Sequence, residues 1–276
     1  AEPQYQNQTG KEFSRDAAGN LLETRYDESS RERTDYQTSF NLGYQLEKSF
    51  IQFNGLYGGD CSPENKDRLI NDYVVNSFTT RQERELIDRC RDNWEAGGDY
   101  EYEFNNGSKY RFLFIVNSGQ YDSTRERFNV LADREEKDLF LYSEGRDQER
   151  IFRTSYTWDP VTSHGLEMGV EHAETTRDSD LRLGMAGFGS PSLNHGNLPP
   201  ISIDNSDSIV KEMRYENFLV HNWRVSDKVS VESSLTYETS NIKQAGDIFN
   251  KRDFDFFRPK IDYRYDITQS TQLRAK

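Results

Sequence analysis

The feature that most constrains this chain is a period of two that is held for longer than an ordinary strand. In YQTSFNLGYQL (Tyr36 to Leu46), Tyr36, Phe40, Leu42, Tyr44 and Leu46 alternate with Gln37, Ser39, Asn41, Gly43 and Gln45. Successive side chains of a β-strand point to opposite faces, so such a run divides an apolar environment from a polar one. The pattern recurs at Tyr100–Phe104, Tyr110–Val116, Phe152–Trp158, Leu166–Val170 and Val229–Tyr237. Its sharpest form comes near the end, where Pro259, Ile261, Tyr263, Tyr265 and Ile267 alternate with Lys260, Asp262, Arg264 and Asp266. Residues 215–225 (YENFLVHNWRV) are strand-like without a clear phase.

The segments between these runs fall into two classes. Short, turn-like stretches are LEKS (46–49), NNGS (105–108), DPVTSHG (159–165), VSDK (225–228) and ITQS (267–270). Long polar stretches cover roughly 58–98, 118–148, 178–210 and 241–252. Short and long connections in alternation predict up-and-down hairpins with tight turns at one rim and large loops at the other. Several runs hold their alternation for about 9–11 residues, the length a tilted membrane strand needs, whereas strands of a soluble sandwich are usually about 5–6 residues long. Aromatic residues gather beside the short turns, where an interfacial girdle belongs: Tyr44, Phe50, Phe104, Tyr110, Trp158, Trp223 and Tyr265. The expected fold class is therefore all-β: an antiparallel, up-and-down transmembrane β-barrel segment of about ten strands, with long outer loops and short inner turns. A soluble β-sandwich adhesin is the alternative architecture.

Composition fits a thin wall that is wet on one side. Of 276 residues, 33% are hydrophobic and 30% charged, with a mean hydropathy of −0.97 and a net charge of −13. Those values approach the disordered range, but 17 Phe, 16 Tyr and 3 Trp are too many for a structureless chain. The acidic balance leaves no basic stripe for nucleic acid. No run of about 18 apolar residues predicts a membrane helix, and no secretory leader is visible at the amino terminus.

On this reading the polar members of each alternation line a wet lumen: Arg153, Glu167, Glu171, Glu232, Glu238, Arg258, Lys260, Asp262, Arg264 and Asp266. Mixed signs predict pairing between neighbouring strands rather than a ring selective for one ion sign. Cys61 and Cys90 fit no CxxC or zinc-finger spacing. Ser62-Pro63 opens a helix-compatible stretch with Leu69, Ile70, Tyr73 and Val74 on one face, and Thr80-Arg81-Gln82-Glu83 reads as a capping box for a second, carrying Leu86 and Ile87. Two antiparallel helices there would bring the cysteines together as a disulfide stapling the 58–98 loop, the alternative being two unpaired thiols. The Gly/Pro-rich stretch 184–204, with Phe188 and His195, reads as a mobile surface loop with no specific role, the alternative being a flexible tip that carries ligand contacts, and its GMAGFG lacks the glycine order of a dinucleotide site. Catalysis of the ten-stranded omptin-protease kind would need an Asp/His couple at the outer rim, for which only His172, near Glu171, Glu174 and Asp178, is placed. No enzyme, cofactor or metal site is expected.

FFRPKIDYRYDITQSTQLRAK (256–276) and SYTWDPVTSHGLEMGVEHAETT (155–176) resemble barrel hairpins of TonB-dependent outer-membrane receptors. The resemblance covers roughly residues 30 to 276 and makes residues 1–276 a partial barrel, with no plug domain in view. It implies a place in the outer membrane of a Gram-negative bacterium, contact with outer-membrane lipid, a plug domain and the energy-coupling protein TonB as partners, and uptake of a scarce nutrient such as a siderophore, vitamin or oligosaccharide. A passive or structural barrel is the alternative function.

Overall fold

The computed structural model describes residues 3–74, 77–268 and 270–276, so Gln269 of the expected ITQS turn and Val75-Asn76 of the expected 58–98 loop lie outside the described residues. The strands are β1 (Gln4–Arg15), β2 (Leu21–Gln45), β3 (Ser49–Cys61), β4 (Glu64–Val74), β5 (Ser77–Glu103), β6 (Lys109–Val130), β7 (Glu135–Val161), β8 (His164–Met185), β9 (Pro200–Ile201), β10 (Asp207–Ser226), β11 (Val229–Gly246), β12 (Asn250–Asp266) and β13 (Gln272–Ala275). They form one antiparallel 13-stranded sheet in the order β1-β2-β3-β5-β6-β7-β8-β10-β11-β12-β13. β4 lies between β2 and β5 as the continuation of β3, and β9 adds a short pairing to β8. Almost every strand therefore pairs with its neighbours in sequence, the up-and-down arrangement that the short turns predict.

Local chemistry sets those turns. Asn106 accepts a hydrogen bond from the Ser108 backbone N–H at 3.1 Å and another from its hydroxyl at 2.7 Å. Gly107 adopts φ 80°, a conformation that glycine reaches without steric cost. At the neighbouring turns Leu46 donates to the Ser49 carbonyl at 2.7 Å and Ile267 to that of Thr271 at 2.9 Å.

The other rim differs from the sequence expectation. The stretches 58–98, 118–148 and 241–252 are not loops: the ladder runs on through β3 to β7 and through β11 and β12, closing in connections at 131–134 and 247–249. Of the four expected long stretches, 178–210 alone keeps an extended loop among the described residues, at 186–206, which contains β9 and the one-turn 3-10 helix Leu193–His195. The sheet thus has more strands than the expected ten, and several are much longer than a bilayer crossing requires. The helices expected after Ser62 and Thr80 are β4 and β5. Local propensity loses there because each backbone group finds a partner across the ladder, from Glu64↔Ile87 to Val74↔Ser77. Pro63 accounts for the gap between β3 and β4, since it cannot donate to a ladder. The chain bridges the gap with Ser62 N–H on the Arg89 carbonyl at 2.7 Å, while Glu32 N–H donates to the Pro63 carbonyl at 3.1 Å. Pro259, which cannot donate to a ladder and would suit a rim or bulge, sits in the middle of β12, opposite Leu235 with no shift of register.

Cys61 and Cys90 are joined as a disulfide, but through strand register rather than helix packing: they are directly opposed residues of β3 and β5, beside the Pro63 gap. Farther along, charge holds the extended strands together. Arg68 on β4 reaches Asp27 on β2 at 2.8 Å and Glu83 and Glu85 on β5 at 3.4 and 3.5 Å. Glu85 is 2% exposed and also receives Arg125 at 2.7 Å. Arg127 holds Asp138 with two hydrogen bonds, at 3.0 and 2.9 Å. Burial pushes the Asp27 carboxyl up, but the hydrogen bonds and charges of Arg68 and Lys66 outweigh it and hold the group below its ordinary value.

Removing Arg68 takes away the one charge shared by Asp27, Glu83 and Glu85, leaving Glu83 to Arg81 and Glu85 to Arg125. Arg68→Met is expected to loosen the β2–β4–β5 extension by roughly 3 kcal/mol, read as faster amide exchange in 64–74 and 77–90 while 99–103 stays protected. Because Asp27 titrates below its unfolded value, its share of that stability is complete at neutral pH. It is lost as pH falls below about 4 and through the lowered folded pKa, so exchange in the same segments should rise on acidification. Cys61→Ser/Cys90→Ser removes a closure over a sequence separation of 29, a loss of about 3–4 kcal/mol in the chain-entropy account. Its effect should centre on the Pro63 gap, with exchange around 59–64 as the readout.

Candidate functional site

Directly opposed residues of a ladder share a face, so register carries face identity from strand to strand. One continuous row reads Tyr44↔Ile51↔Tyr100↔Phe112↔Thr154↔Val170↔Asn217↔Tyr237↔Phe257. The adjoining row, on the opposite face, reads Gly43↔Gln52↔Asp99↔Leu113↔Arg153↔Glu171↔Glu216↔Glu238↔Phe256. One side of the sheet is aromatic and aliphatic, the other largely charged.

Exposure inverts the order of a water-soluble protein. On the apolar face Tyr44 and Phe257 are each 65% exposed, while on the polar face Asp262 is 5% and Glu238 8% exposed. Large apolar groups presented in a contiguous band mark a surface made for something other than water.

Two aromatic belts bound that band. Toward the short turns stand Tyr44, Tyr110, Trp158, Trp223 and Tyr265, all on the apolar face by register. Phe104, in the turn itself, packs edge-on against Tyr102 and Tyr156 with centroids 4.8 and 5.9 Å apart. The second belt was not anticipated. Trp94 stands directly opposite Tyr57, whose ring lies 5.9 Å from that of Tyr36, and Tyr215 stacks on His172 at 4.4 Å. The spacing is regular: Trp94 and Tyr102, Tyr215 and Trp223, and Phe257 and Tyr265 are each eight positions apart. Eight residues of strand measure about 27 Å, close to the roughly 25 Å apolar band of an outer-membrane barrel. Beyond the second belt the same face turns polar, with the row Gly59↔Asp92↔Gln120↔Arg146↔Asp178.

The polar face is a mesh of ion pairs. Glu171 receives Arg214 at 3.0 Å and Arg153 at 3.5 Å. Arg258 joins Glu216, at 3.0 Å, to Glu238. Asp262 takes Arg274 at 2.5 Å and Lys276 at 3.7 Å; Lys260 lies 3.9 Å from Glu232, and Arg264 3.1 Å from Asp266. Glu167 shares this face, opposite Thr157 and Val220. Packing adds to charge where Gly169 directly opposes Phe218 and the Arg153 guanidinium lies 4.2 Å from that ring's centroid.

All of Arg153, Glu167, Glu171, Glu232, Arg258, Lys260, Asp262 and Arg264 therefore share one face. Arg214, Glu216, Phe218 and Arg274 complete the mesh but escaped the sequence reading. Three of these four fall in or beside 215–225, where hydrophobicity misleads: Asn217 and His221 take the apolar face while Phe218 and Val220 take the polar one. The eight-residue spacing of aromatics was the signal available for the second belt.

The histidines serve packing. His164 and His221 lie within hydrogen-bond distance (2.7 Å) in the turn-side belt, and His164 stacks on Trp223. His172 rests on Tyr215 with its Nδ1 3.2 Å from the Arg214 carbonyl, and neighbouring Glu174 is taken by Lys211 at 2.7 Å. His195, in the 186–206 loop, contacts the Ser192 hydroxyl at 3.2 Å, and Phe188 in that loop is fully exposed.

Residues 12–276 match the family described as "TonB dependent receptor-like, beta-barrel". No curated protein sequence matches the chain significantly. Among solved structures, it is similar to the alcaligin outer-membrane receptor FauA from Bordetella pertussis, with 10% identity and a TM-score of 0.44 over 97% of this chain and 41% of that one. It is also similar to the copper transporter OprC, with 9% identity and a TM-score of 0.23 over 97% of this chain and 55% of that one. The chain thus spans less than two thirds of either structure.

Gly169 offers a test of the polar-face packing. A Cβ there would run into the Phe218 ring and the Thr154 backbone carbonyl. Gly169→Ala is expected to cost about 1–3 kcal/mol through overpacking. Gly187→Ala, whose Cβ meets nothing within 4 Å, should be neutral. Urea unfolding followed by the heat-modifiable gel shift separates the two.

Proposed function

Because the chain belongs to the TonB-dependent receptor-like β-barrel family, we propose that it forms part of the wall of an outer-membrane receptor that takes up a scarce nutrient. The observation that carries this reading is the two-faced sheet. The apolar face, bounded by aromatic belts a bilayer core apart, meets lipid, and the ion-paired face lines a wet lumen. The short turns then lie on the periplasmic side and the long strand extensions outside the cell.

In this role the lumenal mesh has a mechanical task. Carboxylates already held by arginines from neighbouring strands, as Glu171 and Glu238 are, leave the wall rigid and nearly neutral. Such a wall can seat a plug domain and let it move without drawing one ion sign through the pore. Energy for that movement comes from the inner membrane through TonB. The nutrient belongs to a class too large or too dilute for passive pores: a siderophore, a vitamin or an oligosaccharide. The host is a Gram-negative bacterium.

Deleting the gene should abolish high-affinity uptake of one labelled nutrient from such a panel, and deleting TonB in the wild-type background should abolish the same uptake. Uptake that survives loss of TonB but not loss of the gene would make the protein a passive pore and overturn the energy-coupled reading.

A further inference from the structure

On the apolar-face side of β10, β11 and β12, on the outer side of the second aromatic belt and about 14–20 Å along the strands from it, three lysines stand in one cross-strand row. Lys211 directly opposes Lys243, and Lys243 directly opposes Lys251. All three share the face of Tyr215, Tyr237 and Phe257, from which they stand four, six and six positions away on their own strands.

Like charges directly opposite each other destabilise a ladder. The polar face answers this problem internally, as Arg258 does between the opposed carboxylates of Glu216 and Glu238. The lysine row is answered only in part. Lys211 has Glu174 at 2.7 Å and Lys251 has Asp253 at 3.2 Å. Lys243, in the middle, makes no ion pair of its own among the described residues and acts only at longer range on Asp253, the carboxylate that Lys251 holds. Of the other acids on this side, Asp255 accepts from the Tyr237 hydroxyl at 3.2 Å, and Asp178 lies in the next row out, Asp178↔Ile209↔Ala245, on the β8 side of Lys211 with Ile209 and Ala245 between it and β12.

We propose that this row binds the phosphate of an anionic outer-leaflet lipid. The inference rests on the membrane reading above, because the second belt sets the depth at which headgroups begin. Neighbouring strands are about 5 Å apart, so three ammonium groups line up over roughly 10 Å. Lysine's flexible stem lets each charge reach along the wall to a phosphate oxygen while its methylenes stay on the apolar surface. The ligand supplies the counter-charge that Lys243 lacks. A free phosphate ion offers the same oxygens but no acyl chains to lie against the aromatic band, so the occupant is a lipid.

The test uses the receptor purified from its own membrane in detergent, with native mass spectrometry counting retained lipid. The probes are lipid A, its enzymatically dephosphorylated form and inorganic phosphate. The wild type should retain lipid A in preference to the dephosphorylated form. The triple variant Lys211→Gln/Lys243→Gln/Lys251→Gln should lose that preference, with on the order of fivefold weaker retention per lysine. Lys243→Gln alone, which frees no carboxylate, should weaken it while leaving the heat-modifiable gel shift unchanged, and Lys228→Gln in a periplasmic turn should have no effect. Undiminished preference in the folded triple variant overturns the proposal, as does full competition by inorganic phosphate at matching concentration. Absence of the wild-type protein from the membrane fraction would instead overturn the membrane reading on which the proposal stands.

Discussion

The cross-strand backbone ladder is the constraint on which the rest of this structure depends. In a bilayer no water is at hand to satisfy an N–H or C=O, so a strand crosses only if its neighbours take up both edges. The ladder here is continuous from β1 through β12, and each feature of the two faces follows from it. Register places Tyr44 and Phe257 in one row eight pairings apart, and Gly43 and Phe256 in the next. Where the ladder lacks a donor at Pro63, the chain does not unravel. Ser62 and Glu32 supply substitute bonds, and the Cys61–Cys90 bridge pins the adjacent pair.

Charge does two different jobs along these strands. On the polar face near the short turns, arginines from one strand satisfy carboxylates on the next, so side chains such as Asp262 and Glu238 are buried at tolerable cost. Beyond the second belt the same device largely takes the place of hydrophobic burial. Ile70 and Ile87 are among the few buried apolar residues there, and Arg68, Arg125 and Arg127 bind five strands, β2 and β4 to β7, together around them. This explains how a chain with a mean hydropathy of −0.97 folds: its apolar residues are concentrated in one band, and its polar remainder is cross-linked by opposite charges.

The sequence revealed the membrane band better than the extension for a physical reason. Alternation between greasy and charged, as from Pro259 to Ile267, is imposed by two unlike environments, and it was readable along with the turns that NNGS and LEKS make. The segments 58–98 and 118–148 carry charge on both faces, so no period of two is visible, and their loop-like polarity hid strands stabilised by partners distant in sequence. Arg31 with Glu64 and Arg68 with Asp27 are pairings between strands, which local periodicity does not encode. The capping-box pattern at Thr80-Arg81-Gln82-Glu83 misled for the same reason, since helix propensity is weak beside a waiting ladder edge. In 215–225 the obstacle was a scrambled phase, with Phe218 turned to the polar side to cover Gly169.

β5 and β7 run through 27 residues each, about 90 Å of strand, of which the apolar band uses roughly a third. Their far ends are ordered backbone, not floppy tether. Fixing a free loop around a guest costs about 1–2 kcal/mol of backbone entropy for every residue immobilised. A molecule that settles among these strand ends finds that cost already met during folding, so even a small set of contacts can hold it, and it can leave again without waiting for a loop to reopen.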